Sequence, residues 1–298
     1  MKTYNIMVHI CIKSDNEVMH RDEEDYRCGI TKMALAAYLT NSHIYAYAFM
    51  STHVHIIVQS PDCSEFVNRY RSAYTRWFNC KYGRRGSLGE YNYHTEHLGS
   101  LYRALRAINY VLRNPVHHLV SDTAIGYEFC SARYVFAEEF NTKDTASTRR
   151  KSSFYSNKIV LPHSYWLNDN GMIAPVSFLE TSAVENMYMT AKNYLYQINR
   201  PSYKDLEKSA GGDEMPLTID MIEPSFDISE IQQNERQRSV KDYAKDLEIC
   251  KLIDEEYLNG RSYAQIDEQE KRRIANTLRR RFNRSLTVKQ ISRCLALQ

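Results

Sequence analysis

Apolar and polar positions along the chain follow two different periods, and the changes of period mark the elements. In residues 4–13, Ile6, Val8, Ile10 and Ile12 recur at every second position, the pattern of a strand with one buried face. Residues 22–40 switch to helical spacing, with Tyr26, Ile30, Met33 and Ala37 on one stripe. Asp22, Glu23 and Glu24 stand in the first turn, where negative charge suits the helix dipole, and Asn41 supplies a stop. Residues 44–49 and 53–59 return to strand character across a tight turn at Ser51-Thr52. Ser64 can cap a second helix running to Tyr82, with Phe66, Tyr70, Ala73 and Trp77 on its stripe. Three glycines make residues 83–89 a loop, and residues 90–94 read as a further strand. Ser100 can cap a third helix that ends at Asn114-Pro115, because proline disfavours helix in the residue before it.

Two early strands with no helix between them imply an antiparallel or mixed sheet, with helices on one face. Residues 141–158 are polar and rich in Ser and Thr, and read as a linker. Residues 159–239 read as one helix, about 177–199, and then an irregular stretch carrying Pro201, Pro216, Pro224 and Gly211-Gly212. Residues 240–298 read as helical. The expected organisation is a unit at 1–140, a linker, a helix-plus-loop region at 159–239 and a helical tail.

Composition narrows the class. The chain has 298 residues, 43% hydrophobic and 25% charged, which is ordinary for a globular protein. The longest apolar run, residues 44–50, is far below the roughly 20 residues of a membrane helix, so no membrane partner is expected. Seven cysteines without a C-x-x-C pair suggest reduced thiols, a cytoplasmic location and no cysteine-based zinc site. The net charge of +3 hides local asymmetry. Residues 66–89 hold six basic and no acidic side chains, including Arg69, Arg71, Arg76, Arg84 and Arg85, interleaved with aromatics. Phosphate contacts plus base stacking would explain that pairing; core aromatics with solvated arginines would explain it too. Residues 268–298 carry nine basic and two acidic residues. A helix through Ile274, Leu278 and Phe282, a break at residues 283–285 and a second helix suggest a helix-turn-helix. Val288, Ile291 and Leu295 would pack inward there, and Lys289, Gln290 and Arg293 would face a groove; a basic hairpin packed on the rest of the chain is the alternative.

Two local patterns carry chemistry. On a strand, His53 and His55 fall on one face with Ile57 and Gln59, while Val54, Ile56 and Val58 fall on the other. Two adjacent imidazoles can hold one metal ion or flank one phosphate; two half-exposed strand histidines are the plain alternative. In the third helix, Leu101, Leu105, Ile108 and Leu112 form a core stripe, and Arg103, Ala107, Tyr110 and Asn114 a second one. Tyr110 and Asn114, one turn apart, can present a phenol nucleophile and an amide oxygen for a hard cation, or simply a boundary tyrosine and a helix-end asparagine. His9 reads as a structural histidine, with a place near the HVH strand as the alternative, and His94, His97, His117 and His118 as side chains able to meet phosphate.

Taken in order, the stretches AYAFMSTHVHIIVQSP (46–61), RYRSAYTRWFNCKYGRRG (69–86), INYVLRNPVHHLV (108–120) and YEFCSARYVF (127–136) resemble the single-tyrosine HUH transposases, in particular their REP-associated branch. The resemblance implies a ferredoxin-like α+β catalytic domain, with an antiparallel sheet and the HUH nuclease fold, followed by a mostly helical region. It implies cleavage and rejoining of single-stranded or hairpin DNA through a 5′-phosphotyrosine. His53, His55 and Asn114 would then be ligands of Mg²⁺ or Mn²⁺, and Tyr110 the nucleophile. The chain departs from the family at GEYNYHTEHL (89–98), where a W-Q-x-R-F-like stretch is usual, and at His117-His118, where Arg-Ala is common. A non-catalytic hairpin-binding protein and a replication-initiator nicking enzyme are the alternatives, the second without a visible nucleotide-binding loop. The DNA target, a homodimeric assembly and assembly of the site in cis or trans stay open.

Overall fold

The computed structural model describes residues 6–14, 16–90, 92–142, 154–155, 158–199, 245–282 and 285–297. Most of the expected linker at 141–158 and the irregular stretch at 201–239 lie outside the described residues, as do residues 283–284 of the expected helix-turn-helix break.

Strand β1 (Met7–Lys13) is followed by helix α1 (Glu23–Leu39), strands β2 (His43–Phe49) and β3 (His53–Gln59), helix α2 (Cys63–Tyr82), strand β4 (His94–Leu98) and helix α3 (Leu101–His117). The sheet order is β2-β3-β1-β4, with antiparallel pairing throughout. A β-α-β-β-α-β chain with the first and third strands central is the ferredoxin-like arrangement.

The two sheet faces are unlike. Val8, Ile10, Ile12, Val54, Ile56 and Val58 line the face under α1 and α2, all nearly fully buried. Gly29 lets α1 approach that face, since a Cβ there would sit 2.8 Å from Cε1 of Phe49. The other face carries His9, Cys11, His53, His55 and Ile57, with Ala46 and Ala48 beside them on β2. Helices were expected on one face only. In the structure α1 and α2 share one face, and α3 crosses the opposite one against β2, β3 and β4. The apolar stripe of α3 has to be buried, and the helix emerges from edge strand β4 beside the uncovered face.

Several local expectations shift. Asp62, not Ser64, caps α2, its carboxylate accepting from the Glu65 amide at 3.0 Å. The fourth strand starts at His94 rather than Glu90, because Gly89 turns the chain at φ 76° and the Glu90 amide is spent on the Lys13 carbonyl. Pro115 does not end α3: it removes one amide donor, while His118 and Val120 still donate to the Asn114 and Pro115 carbonyls. Leu101, expected in the core, is exposed as the first residue of α3. The single helix expected at 177–199 is two, α4 (Thr181–Tyr188) and α5 (Ala191–Ile198). Met189 takes a positive φ between them, and Thr190 caps the second.

Among the described residues the C-terminal part contains α6 (Asp246–Glu256), α7 (Glu268–Arg281) and α8 (Val288–Leu295). No helix among the described residues is long and apolar enough to cross a membrane. These helices pack on the N-terminal segment. Arg21, fully buried, donates to the Cys294 carbonyl, pairs with Asp254 at 3.0 Å and lies 4.0 Å from the Tyr263 ring centroid. Asp246 receives Arg293 at 2.5 and 3.0 Å and the Ser51 hydroxyl at 2.5 Å. Ser51 belongs to the turn that leads into β3. The same turn is held by His20, whose Nδ1–H donates to the Met50 carbonyl at 2.7 Å, and by the Met19 and His20 amides on the Ser51 carbonyl.

Two predictions follow from these buried polar groups. Replacing Arg293 with Met strands the Asp246 carboxylate, and should cost about 3–5 kcal/mol in urea unfolding; a loss under 1 kcal/mol would mean the pair is not buried in solution. Burial lowers the His20 pKa from 6.5 to about 3 despite its bond to Met50, so His20 stays neutral when folded. A depressed pKa contributes stability that is present above 6.5 and lost as pH falls. Asp25, raised by burial to about 6, acts in the opposite sense as pH drops below that value. It is common to wild type and to a His20→Asn variant, so the wild type should lose about 2 kcal/mol relative to that variant between pH 7 and pH 5. Parallel stability curves would contradict the assignment.

Candidate active site

Strand alternation and α3 bring the candidate residues together. His53 (4% exposed) and His55 (0%) point from β3 toward α3, their ring centroids 5.1 Å apart. From α3, Tyr110 (1% exposed) meets His55 edge-on at 5.5 Å, and Asn114 (0%) places its Oδ1 3.1 Å from His53 Nε2. The Asn114 oxygen accepts, so the proton of that bond sits on His53 Nε2. His53 Nδ1 lies 3.3 Å from the Thr52 hydroxyl, an alternative proton acceptor. The packing of α3 covers these groups from solvent.

The donor set suits a hard or borderline cation. The 3.1 Å contact is a hydrogen bond while His53 Nε2 carries the proton; with that proton on Nδ1 instead, His53 Nε2 and Asn114 Oδ1 would be two neighbouring ligands. The Asn114 Nδ2 is buried and has no hydrogen-bond partner. Leaving such a donor unsatisfied costs on the order of 1–3 kcal/mol, which is tolerable where the oxygen of the same amide is needed. Among the described residues no three His, Cys, Asp or Glu side chains converge on a metal-sized point, so the set depends on the asparagine oxygen.

Four further side chains stand beside this cluster. His9 Nε2 lies 3.0 Å from His55 Nδ1, across the sheet from β1. His118, just past α3, has its ring 5.1 Å from that of His53, while His117 is exposed. Arg106 and Arg113 are buried on α3, within a turn of Tyr110 on either side. The helical periodicity of residues 106, 110 and 113 was available as a signal; the contact with His9 was not, because it is made across the sheet.

The basic residues separate into two groups. Arg69, Arg76, Arg85 and Lys289 are exposed. Arg69 pairs with Glu65 of its own helix, a surface pair that binding can displace. Arg71 donates to the Glu90 carbonyl, and Arg103 pairs with Glu96. The remaining three correct the sequence reading. Arg84 is fixed by a two-pronged bond to Glu17 at 2.7 and 2.8 Å and by the Asn79 and Ser87 oxygens. Gln290 is buried and forms a capping box with Thr287. Arg293 is 3% exposed and bound to Asp246. So α8 turns Gln290 and Arg293 of its expected groove-reading set inward and leaves Lys289 outside, while Val288, expected inside, is exposed in the first turn and Ile291 and Leu295 are buried as expected. A local pattern cannot separate an arginine that meets phosphate from one that meets a carboxylate of its own chain.

Residues 2–100 match the family model described as "Transposase IS200 like". The matched stretch contains the sheet with His53 and His55 and ends before α3, so Tyr110 and Asn114 lie beyond it. No curated protein matches the chain. A solved structure of a REP-associated tyrosine transposase bound to a REP hairpin is 14% identical, with a TM-score of 0.40, over 54% of this chain and 100% of that chain. Residues 2–100, which hold the four strands and the histidine pair, are in this stretch similar to the IS200-like transposases.

Proposed function

We propose that the protein is a DNA strand transferase that cleaves and rejoins single-stranded or hairpin DNA with Tyr110 as nucleophile, within a catalytic unit at residues 1–140. The observation that supports this most directly is the meeting of His53 and His55 from β3 with Tyr110 and Asn114 from α3, although the pairs are separated by about half of that unit. In this reading the Tyr110 oxygen attacks phosphorus and the P–O3′ bond breaks. The phenol proton passes to a nearby acceptor or to water, leaving a 5′-phosphotyrosine and a free 3′-OH. Because the covalent bond keeps the phosphodiester energy, an incoming 3′-OH reverses the step and joins strands without ATP. A divalent ion such as Mg²⁺ or Mn²⁺, held by His53, His55 and Asn114, would offset the negative charge on the scissile phosphate.

The nucleophile is covered in this conformation, so DNA reaches it only when α3 lifts from the sheet. The burial of Tyr110 also favours a second reading, a hairpin-binding protein that keeps the fold without cutting. In either case Arg69, Arg76, Arg85 and Lys289 are the exposed cations of the candidate DNA surface.

Labelled hairpin DNA incubated with protein and Mn²⁺ and then denatured should give a protein-linked label. The label should vanish in Tyr110→Phe and fall roughly a hundredfold in His53→Ala or Asn114→Ala, where several kcal/mol of charge stabilisation is removed. Binding without any adduct in the wild type would select the second reading. For the surface, Arg76→Ala and Arg85→Ala should each flatten the slope of log affinity against log salt by about 0.7 on single strands. Arg84→Ala should instead lower the unfolding midpoint, since it breaks the pair with Glu17. Equal salt slopes in wild type and both surface variants would move the DNA path elsewhere.

A further inference from the structure

We propose that Lys13 is a further substrate-binding residue of the site: its ammonium takes a nonbridging oxygen of the DNA phosphate that lies against His53, and Glu90 holds that place until DNA arrives. The inference deepens the proposed function and rests on its reading of the β3–α3 cluster as the place where DNA phosphate binds.

Lys13 is the last residue of β1 and stands opposite His53 in the antiparallel register, as Cys11 stands opposite His55. Opposed residues of such a pair lie roughly 4.5–5.5 Å apart at Cα and point to the same side of the sheet. Lys13 therefore belongs to the histidine face, at its open end: its side chain is 24% exposed, whereas His53 and His55 are buried. The loop before β4 brings a carboxylate to it. Gly89 comes so close to the end of β1 that a Cβ there would meet the Lys13 carbonyl oxygen at 2.9 Å. The Glu90 amide donates to the same carbonyl at 2.8 Å, and the Glu90 carbonyl accepts from Arg71. With its backbone fixed on both sides, Glu90 pairs its carboxylate with Lys13 at 3.0 Å. The pair is partly open to water, where an ion pair adds little to stability, so a phosphate can take the place of the carboxylate. The ammonium is a point charge on a flexible four-carbon stem, and can turn from Glu90 to an anion over His53 without movement of the strand. Attack by Tyr110 would gather negative charge on the nonbridging oxygens, and a cation fixed to the sheet opposite His53 is placed to offset it. Arg106 and Arg113 sit on α3 and travel with the nucleophile; Lys13 stays with the histidines.

The test compares full-length protein and its variants on one labelled hairpin with a single-stranded arm, in Mn²⁺. Lys13→Gln should weaken binding severalfold, flatten the slope of log affinity against log salt by about 0.7, and slow adduct formation at saturating DNA roughly a hundredfold. Lys13→Arg, which keeps the charge, should recover the slope and most of the rate. Glu90→Gln removes the competing carboxylate and should tighten binding severalfold at low salt. A merely structural pair makes a different forecast: Lys13→Gln and Glu90→Gln break the same contact, so both would lower the unfolding midpoint alike and neither would move the salt slope. That result overturns the proposal. So does a flattened slope with an unchanged rate at saturating DNA, which would put Lys13 on a flanking phosphate. Affinity and salt slope need no chemistry and can be read in a Tyr110→Phe background, so a protein that forms no adduct still decides the role of Lys13. Adduct formation with the wild-type slope and rate in Lys13→Gln would sink the role of Lys13 alone, and failure of the two readings can be told apart.

Discussion

Everything at the candidate site depends on the two-residue period of β3. That period sends Val54, Ile56 and Val58 into the layer under α1 and α2, and His53 and His55 to the opposite face. A slip of one residue would exchange the two sets and bury both imidazoles among aliphatic side chains. Register is therefore fixed by core packing, and the chemistry inherits its geometry from that packing. Ala46 and Ala48, small residues on the same face of β2, leave α3 room to lie close enough for Tyr110 and Asn114 to touch the histidines.

The C-terminal helices are tied to that strand. Ser51, in the turn before His53, bonds to Asp246 of α6, and Asp246 in turn receives Arg293 of α8. Arg21, at the start of the α1 approach, reaches Cys294 and Asp254. Buried charges are retained only where their partners are in place, so these contacts fix how the tail meets the turn. Three residues that a sequence reading assigns to DNA are consumed in such internal contacts: Arg84 with Glu17, Arg293 with Asp246, and Gln290 with the first turn of α8. Of the side chains that a sequence reading assigns to DNA, Arg69, Arg76, Arg85 and Lys289 remain exposed.

The fold of the first 120 residues was largely legible. Strand β3 appears with the bounds its alternation predicts, and Ser100 caps α3 where the pattern of residues places it, while Asp22, read as a first-turn residue, is the N-cap of α1. The misplacements share a cause. β4 is an edge strand of polar residues with no apolar alternation to mark it, and its start is set by pairing with Cys11. Met189 breaks the 181–198 helix because Thr190 caps anew, a local competition that composition alone does not rank. At the site, HVH and the Tyr110–Asn114 spacing were readable because each lies within one element. The contact of His9 with His55 was not, since two strands separated by 46 residues make it.

The sequence by itself determined which residues share a strand face or a helix stripe, because backbone geometry repeats every 2 or 3.6 residues whatever surrounds it. It also determined that the chain carries an imidazole pair on one strand and a phenol and an amide one turn apart on a later helix. Only the tertiary structure decided which helix covers the histidine face, which imidazole gains a second histidine, and which arginines are bound to carboxylates of their own chain. Those outcomes come from contacts between distant segments, and the energy of such a contact belongs to neither segment alone.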